Sequence, residues 1–261
     1  MFDHLRELRV SNVFLIDGGP GDRFLVDTGH WAERATLIVA LRRRGLRPSD
    51  LTGVLLTHRH SDHAGNAAWL RRQGVKIFAH RADAEILEGT RPLPYMTRGE
   101  GSFVAGLLAQ FENRWPARVP VDRALDEGDT VAGLEVHWVP GHTEGSVFYR
   151  HDSTRSLVSG DTLLTAIPPL VLRAGIALPY PTFTRDMARA HASIRAFHAR
   201  ALDYDHLLPG HGRPLRGEAR RKIVEHLERE GILRDSADSP TPLRSGFERP
   251  ARRSREARRT R

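Results

Sequence analysis

The 261-residue chain contains no cysteine. That absence removes disulfides, thiolate nucleophiles and cysteine-ligated zinc at once. Long apolar runs are missing as well, and nothing approaches the ~18 consecutive apolar residues of a membrane-spanning helix. Residues 1–8 mix charges among apolar side chains and lack the apolar block of a secretory leader. A cytoplasmic protein without a membrane partner is the expectation. Lysine is nearly absent, with Lys76 and Lys222 alone among 40 basic residues. An arginine bias of that kind reads as genome composition rather than as selection for phosphate contacts.

The net charge of +8 is unevenly placed. Residues 249–261 hold seven arginines against one glutamate, a net of +6, which leaves +2 on residues 1–248. The body is therefore not a basic protein. From about Asp235 the sequence turns polar, proline-punctuated and like-charged, too poor in apolar area to offset its ordering entropy. The expected organisation is one catalytic domain over 1–234 and a disordered arginine-rich tail over 235–261. The tail keeps a nucleic-acid contact open, and a homodimer is open too.

Before the tail, strand and helix signals alternate. Residues 13–16 and 24–26 read as strands around a glycine-rich turn, and 54–57, 75–79, 134–139, 147–149 and 156–158 as further strands. Helical stripes run through Leu37, Ile38 and Leu41, through residues 64–72, through a separate helix after the 75–79 strand as far as Ile86, and again from Met187 to Ala201 and around Ile223 to Leu227. Two proline-containing stretches, 89–120 and 165–184, resist assignment and read as lids or pocket walls.

The informative stretch is Thr57-His58-Arg59-His60-Ser61-Asp62-His63. It follows a strand and precedes a helix. On an extended strand end His58 and His60 point the same way, because side chains repeat every two residues. Asp62 and His63 lie where the chain turns into the helix. Three imidazoles and a carboxylate within six positions form a borderline donor set suited to zinc. Further donors stand in glycine-bearing loops after strands: His142 in Pro140-Gly-His, Asp161 in Ser159-Gly-Asp, and His211 in Pro209-Gly-His-Gly.

With these motifs in this order, from Asp27-Thr-Gly29 through Gly212, the sequence resembles the metallo-β-lactamase superfamily. The resemblance implies an α/β fold, the four-layer αββα sandwich of two mixed β-sheets flanked by helices, with the site at one edge. It also implies a partition of ligands. His58, His60 and His142 would hold one metal, Asp62, His63 and His211 the other, and Asp161 would bridge them. Asp27 would orient the metal loop without being a ligand. The cofactor expectation is two divalent ions, zinc first, with iron or manganese also compatible with these donors. The remaining histidines, among them His30, His80, His137, His191, His198 and His206, read as structural.

Two cations ~3.5–4 Å apart lower the pKa of a bridging water from 15.7 toward ~7, so hydroxide is available without a side-chain nucleophile. Asp62 would orient it and carry its proton to the leaving group. The expected reaction is hydrolysis of a small acyl substrate: a lactone, carboxylic ester or thioester. Asp161 stands where the family's true β-lactamases lack a bridging aspartate, and the complete second ligand set argues against a mono-iron dioxygenase. A nuclease or phosphodiesterase of the same fold is the alternative, weakened by the near-neutral body. A non-catalytic metal-binding scaffold is a third, weakened by the filled ligand positions. The apolar stretch over 166–183 reads as an acyl pocket wall, with Tyr180 and Tyr95 as candidate substrate contacts. Deletion of residues 235–261 should leave turnover of a small ester nearly unchanged; a large loss of kcat in the shortened chain would make the tail part of the site.

Overall fold

The computed structural model describes residues 2–96, 103–166 and 175–233. Its first sheet contains β1 (Phe2–His4), β2 (Phe14–Gly19), β3 (Asp22–Val26), β4 (Gly53–Leu55), β5 (Lys76–His80) and β6 (Arg123–Leu125), side by side in chain order. β1 to β3 pair antiparallel, and β3 to β6 pair parallel. The parallel half needs crossovers on one face. α1 (Arg34–Arg42), the short α2 (Ser61–Ala64) and α3 (Ala67–Arg71) supply the first two, and α4 (Arg81–Leu87) and α5 (Phe103–Arg114) the third.

The second sheet contains β7 (Thr130–Val131), β8 (Leu134–Trp138), β9 (Val147–His151), β10 (Ser156–Gly160), β11 (His206–Pro209) and β12 (Leu215–Arg216). Only β10 and β11 pair parallel, joined through α6 (Met187–Ala199). α7 (Ala219–Arg229) follows β12.

Strand periodicity makes the layers. Across β2 and β3, Phe14 pairs with Val26 and Ile16 with Phe24, and all four enter the core between the sheets. The intervening pair, Leu15 and Leu25, points to the other side and packs with Leu37 and Leu41 of α1 and Leu70 of α3. The second sheet repeats the pattern. Val136, Tyr149, Val158 and Leu208 face the first sheet, while Phe148, Leu157 and Leu207 meet Ile194 of α6 and Ile223 of α7. Three apolar layers separate four layers of secondary structure, which is the expected sandwich.

Several local expectations shift. The strand expected over 54–57 ends at Leu55, so the histidine motif starts in a loop. The helix expected over 64–72 is broken into α2 and α3, because the Asn66 amide donates to the carbonyls of Thr28 and His30 at 2.9 and 3.0 Å. The stretch 89–120 contains α5. Of the supposed pocket wall, residues 167–174 lie outside the described residues. Ile176 and Leu178 pack, partly buried, onto the outer core of the second sheet. The tail over 235–261 also lies outside the described residues. Among the described residues no helix is long and apolar enough to cross a membrane.

His80 ends β5 and starts α4: its Nδ1 accepts from the Ala82 N–H at 3.2 Å while its ring stacks on Trp138 at 5.1 Å. Burial pushes its pKa from 6.5 to about 4. Between those values an unfolded chain binds a proton that the folded chain resists, so this residue withdraws stability as pH falls through that window. His80→Asn keeps an acceptor at the helix start and removes the titration. Urea midpoints of the variant should fall less steeply than wild type between pH 6.5 and 4, and parallel curves would exclude this role.

Candidate metal centre

The site is built where β3 and β4 leave the first sheet and where the loops after β8, β10 and β11 leave the second. Asp27 directly follows β3 and holds a left-handed backbone, φ 61°. A non-glycine residue rarely adopts that region, and aspartate is among those that tolerate it best. The turn aims a buried carboxylate back across the sheet edge. Its Oδ1 accepts from the Thr57 N–H at 2.8 Å, and its Oδ2 accepts from the Thr57 hydroxyl at 2.8 Å. Oδ2 also lies 2.9 Å from His63 Nδ1, and Thr57 Oγ1 lies 3.0 Å from His58 Nδ1. One carboxylate thus fixes two imidazoles, each with its Nε2 left to point inward.

Seven side chains converge in two groups. Donor atoms of His58, His60 and His142 lie within 4.8 Å of one another, and so do those of Asp62, His63, Asp161 and His211. His142 Nε2 is 3.1 Å from His60 Nδ1. His63 Nε2 is 3.3 Å from His211 Nε2. Asp161 stands between the groups: its carboxylate oxygens lie 3.2 Å from His63 Nε2, 3.3 Å from His211 Nε2 and 3.8 Å from His142 Nε2. Asp62 Oδ2 is 3.1 Å from His211 Nε2, and its side chain, 29% exposed, is the most open of the seven.

A pair of cations fits this arrangement on three grounds. His58 Nε2 and His60 Nε2 are buried without a hydrogen-bond partner. Such orphaned polar atoms are costly unless something else satisfies them. Gly210 permits the loops to close: a Cβ there would collide with Asp161 Oδ1. Charge also favours cations. Burial holds His58 and His60 well below the ordinary imidazole value and His142 at about 4, so these three are neutral donors. In the second group burial works against the proton, yet the carboxylates outweigh it. Asp62, Asp161 and Asp27 lift His63 well above its ordinary value, and Asp161 with Asp62 lifts His211 to about 9. The surroundings of this group call for positive charge.

Of the other candidates, Tyr95 is exposed and donates its hydroxyl to Gln110 of α5 rather than entering the cluster. Tyr180 packs its ring near Phe183, and its carbonyl accepts from Thr184, whose hydroxyl is 3.1 Å from His142 Nδ1. Arg59 is buried between Asp83 and Glu144, 3.8 and 3.5 Å from their carboxylates.

Three supporting residues escape a reading of the sequence. Asp83 of α4 accepts from the Arg59 N–H at 2.9 Å, the Thr143 hydroxyl at 2.7 Å and the Gly145 N–H at 2.8 Å, tying the His58 and His142 loops together. The Asn12 amide donates to the carbonyls of Pro209 and Gly212 on either side of His211, at 2.8 and 2.7 Å. Glu112 of α5 accepts from the Ser61 N–H at 3.1 Å, at the start of α2. Each acts across 24 to 200 positions, and no local pattern marks it.

The model of the metallo-beta-lactamase superfamily matches residues 6–211, and the chain belongs to that superfamily. It is 33% identical over 158 residues to a Bacillus subtilis protein named probable metallo-hydrolase YybB, covering 60% of this chain and 63% of that one. It is 37% identical over 122 residues to a hydroxyacylglutathione hydrolase of Pseudomonas syringae, covering 44% of this chain and 35% of that protein. The chain thus matches less than two thirds of the length of either relative. Among solved structures, a metallo-beta-lactamase family protein of Thermus thermophilus, TTHA1429, superposes with a TM-score of 0.62 at 23% identity, covering 85% of this chain and 74% of its own.

Burial raises the Glu112 pKa from 4.5 to about 7. Its contribution to stability is full below pH 4.5 and is lost as pH rises through about 7. Glu112→Gln keeps an oxygen for the Ser61 N–H and should be at least as stable as wild type at pH 8. Glu112→Ala strands that N–H and should lose about 1–3 kcal/mol. Urea midpoints at pH 6 and 8 distinguish these outcomes from a surface carboxylate, whose variants would all be alike.

Proposed function

We propose that the chain is a metal-dependent hydrolase that cleaves a small acyl substrate: a lactone, carboxylic ester or thioester. The observation that carries this reading is the position of Asp161 between two groups of inward-facing donors. In this reading His58, His60 and His142 would hold one ion and Asp62, His63 and His211 the second, with Asp161 placed to serve both. Zinc is the first choice for such nitrogen and oxygen donors, with iron and manganese also compatible. Bound there, two divalent ions would supply a Lewis acid for a carbonyl oxygen and water acidic enough to ionise near pH 7.

The chain's own residues supply the rest. Asp62 is the most open carboxylate of the cluster. It is placed to take the proton of the attacking water and deliver it to the departing alcohol or thiol. Asp27 holds the His63 ring directly and the His58 ring through Thr57, which fixes the orientation of both. Asp83 keeps the two loops of the first group in register.

The hydroxyacylglutathione hydrolase relative favours a thioester among the acyl substrates. The peptide portion of such a thioester is not carried over, because only 35% of that relative is matched. After His211 the described residues hold one two-residue strand and one helix.

Purified protein should carry about two metal ions per chain. Chelation should lower its melting temperature as well as its activity, because binding to the native state alone contributes about 4 kcal/mol at a thousandfold excess over Kd. Turnover is expected on a panel of esters, lactones and thioesters. Asp62→Ala should lower kcat by at least about 10²-fold while circular dichroism stays native. Activity confined to single-stranded RNA or DNA would overturn the substrate class, and a fully active Asp62→Ala would overturn the role of that residue.

A further inference from the structure

Nine large apolar side chains are exposed among the described residues, and seven of them gather at one place. Val104, Leu107, Leu108, Phe111 and Trp115 follow helical spacing and form one stripe along α5 and its end. Trp115 is 55% exposed, and Phe103, 77% exposed, begins the helix. Trp31 joins the patch through His30, whose ring lies 5.1 Å from Trp31 and 6.4 Å from Phe111. Tyr95 joins it through Gln110. An amphipathic helix normally turns such a stripe inward. α5 does the reverse, burying Ala105, Gly106, Ala109 and Glu112 against the domain.

Taking ~100 Å² from each large side chain, the patch presents on the order of 700 Å². A monomer's largest patch is about 300–600 Å², and a specific interface takes roughly 800 Å² from each partner. α5 is ~18 Å long, a length over which a second helix can pack ridge into groove. Its polar margin is Gln110 and Asn113, with Arg114 laid over Trp115 at 5.3 Å as the one cation of the helix. A lipid-binding helix would carry several.

We propose that this stripe is the interface of a two-fold symmetric homodimer, α5 of one protomer packed antiparallel on α5 of a second copy. A two-fold axis across the stripe meets the requirement that one patch be its own complement. The proposal is independent of the hydrolytic reading.

Sedimentation equilibrium from about 1 to about 100 µM spans the affinities such interfaces reach at their weak end. The wild type should approach twice the 29.3 kDa of the chain. The double variant Leu107→Lys, Leu108→Lys sets like charges face to face and should raise the dimer Kd at least ~100-fold without changing the circular dichroism. If that variant does not fold, the cysteine-free sequence offers a second measurement. Single cysteines at Val104, Leu107, Leu108 or Phe111 should give a disulfide-linked dimer on oxidation at one position or more, where the axis brings Cα atoms within about 4.4–6.8 Å. A wild type that stays monomeric at 100 µM, or a folded double variant that dimerises as well as wild type, would overturn the proposal. So would a monomer in which the double variant raises KM only for long-chain esters, which would assign the stripe to the acyl group of a substrate.

Discussion

The geometry of the centre depends on one buried carboxylate. Asp27 sits in a left-handed turn at the end of β3 and ties the Thr57 backbone, the Thr57 hydroxyl and the His63 ring to a single point. Neutral imidazoles present one nitrogen as donor and the other as acceptor, and which is which depends on the partner of the far nitrogen. Asp27 and Thr57 occupy the far nitrogens of His63 and His58, so the Nε2 of each ring is the nitrogen left facing inward. The strain of an aspartate at φ 61° is of the kind that persists only where surrounding structure over-determines it.

The two-sheet framework explains how donors so distant in sequence meet. Parallel pairing of β3 with β4 and of β10 with β11 sends the Asp27, His58, Asp161 and His211 loops off the same end of the sandwich. His142 reaches the same place through Gly141, whose φ of 140° only glycine adopts with ease. Strand alternation then fills the space between the sheets with Phe14, Phe24, Tyr149 and Val158, which keeps the two loop-bearing edges at a fixed separation.

The loops whose histidines and aspartates cluster in the fold stood out in the sequence because their signal is local: a dense run of imidazoles, or a histidine or aspartate beside glycine after an apolar strand. The two main helices of the second sheet and the longer strands were legible through periodicity. β1, β6, β7 and β12 were not, since two or three residues cannot show a period and their pairing is decided by neighbours far along the chain. α5 carried a helical stripe in plain view, but prolines at 92, 94, 116 and 120 gave its surroundings the look of a loop. Asp83, Asn12 and Glu112 stayed hidden for another reason. An aspartate in a helix, an asparagine before a strand and a glutamate on an amphipathic helix are ordinary residues until the fold brings a backbone N–H or carbonyl to them.

Asn12 also bears on the order in which the molecule is made. It precedes β2, yet its amide holds carbonyls 197 and 200 positions later, and its own N–H donates to Gly210 at 2.7 Å. During synthesis the first sheet can gather its parallel strands once β6 has emerged, but the clasp on the His211 loop waits for nearly the whole domain to leave the ribosome. Domains emerge at about 5–20 residues per second, so Asn12 spends on the order of ten seconds without these partners. The nascent chain therefore carries a cluster of four donors, His58 to His63, well before the residues that complete its surroundings exist.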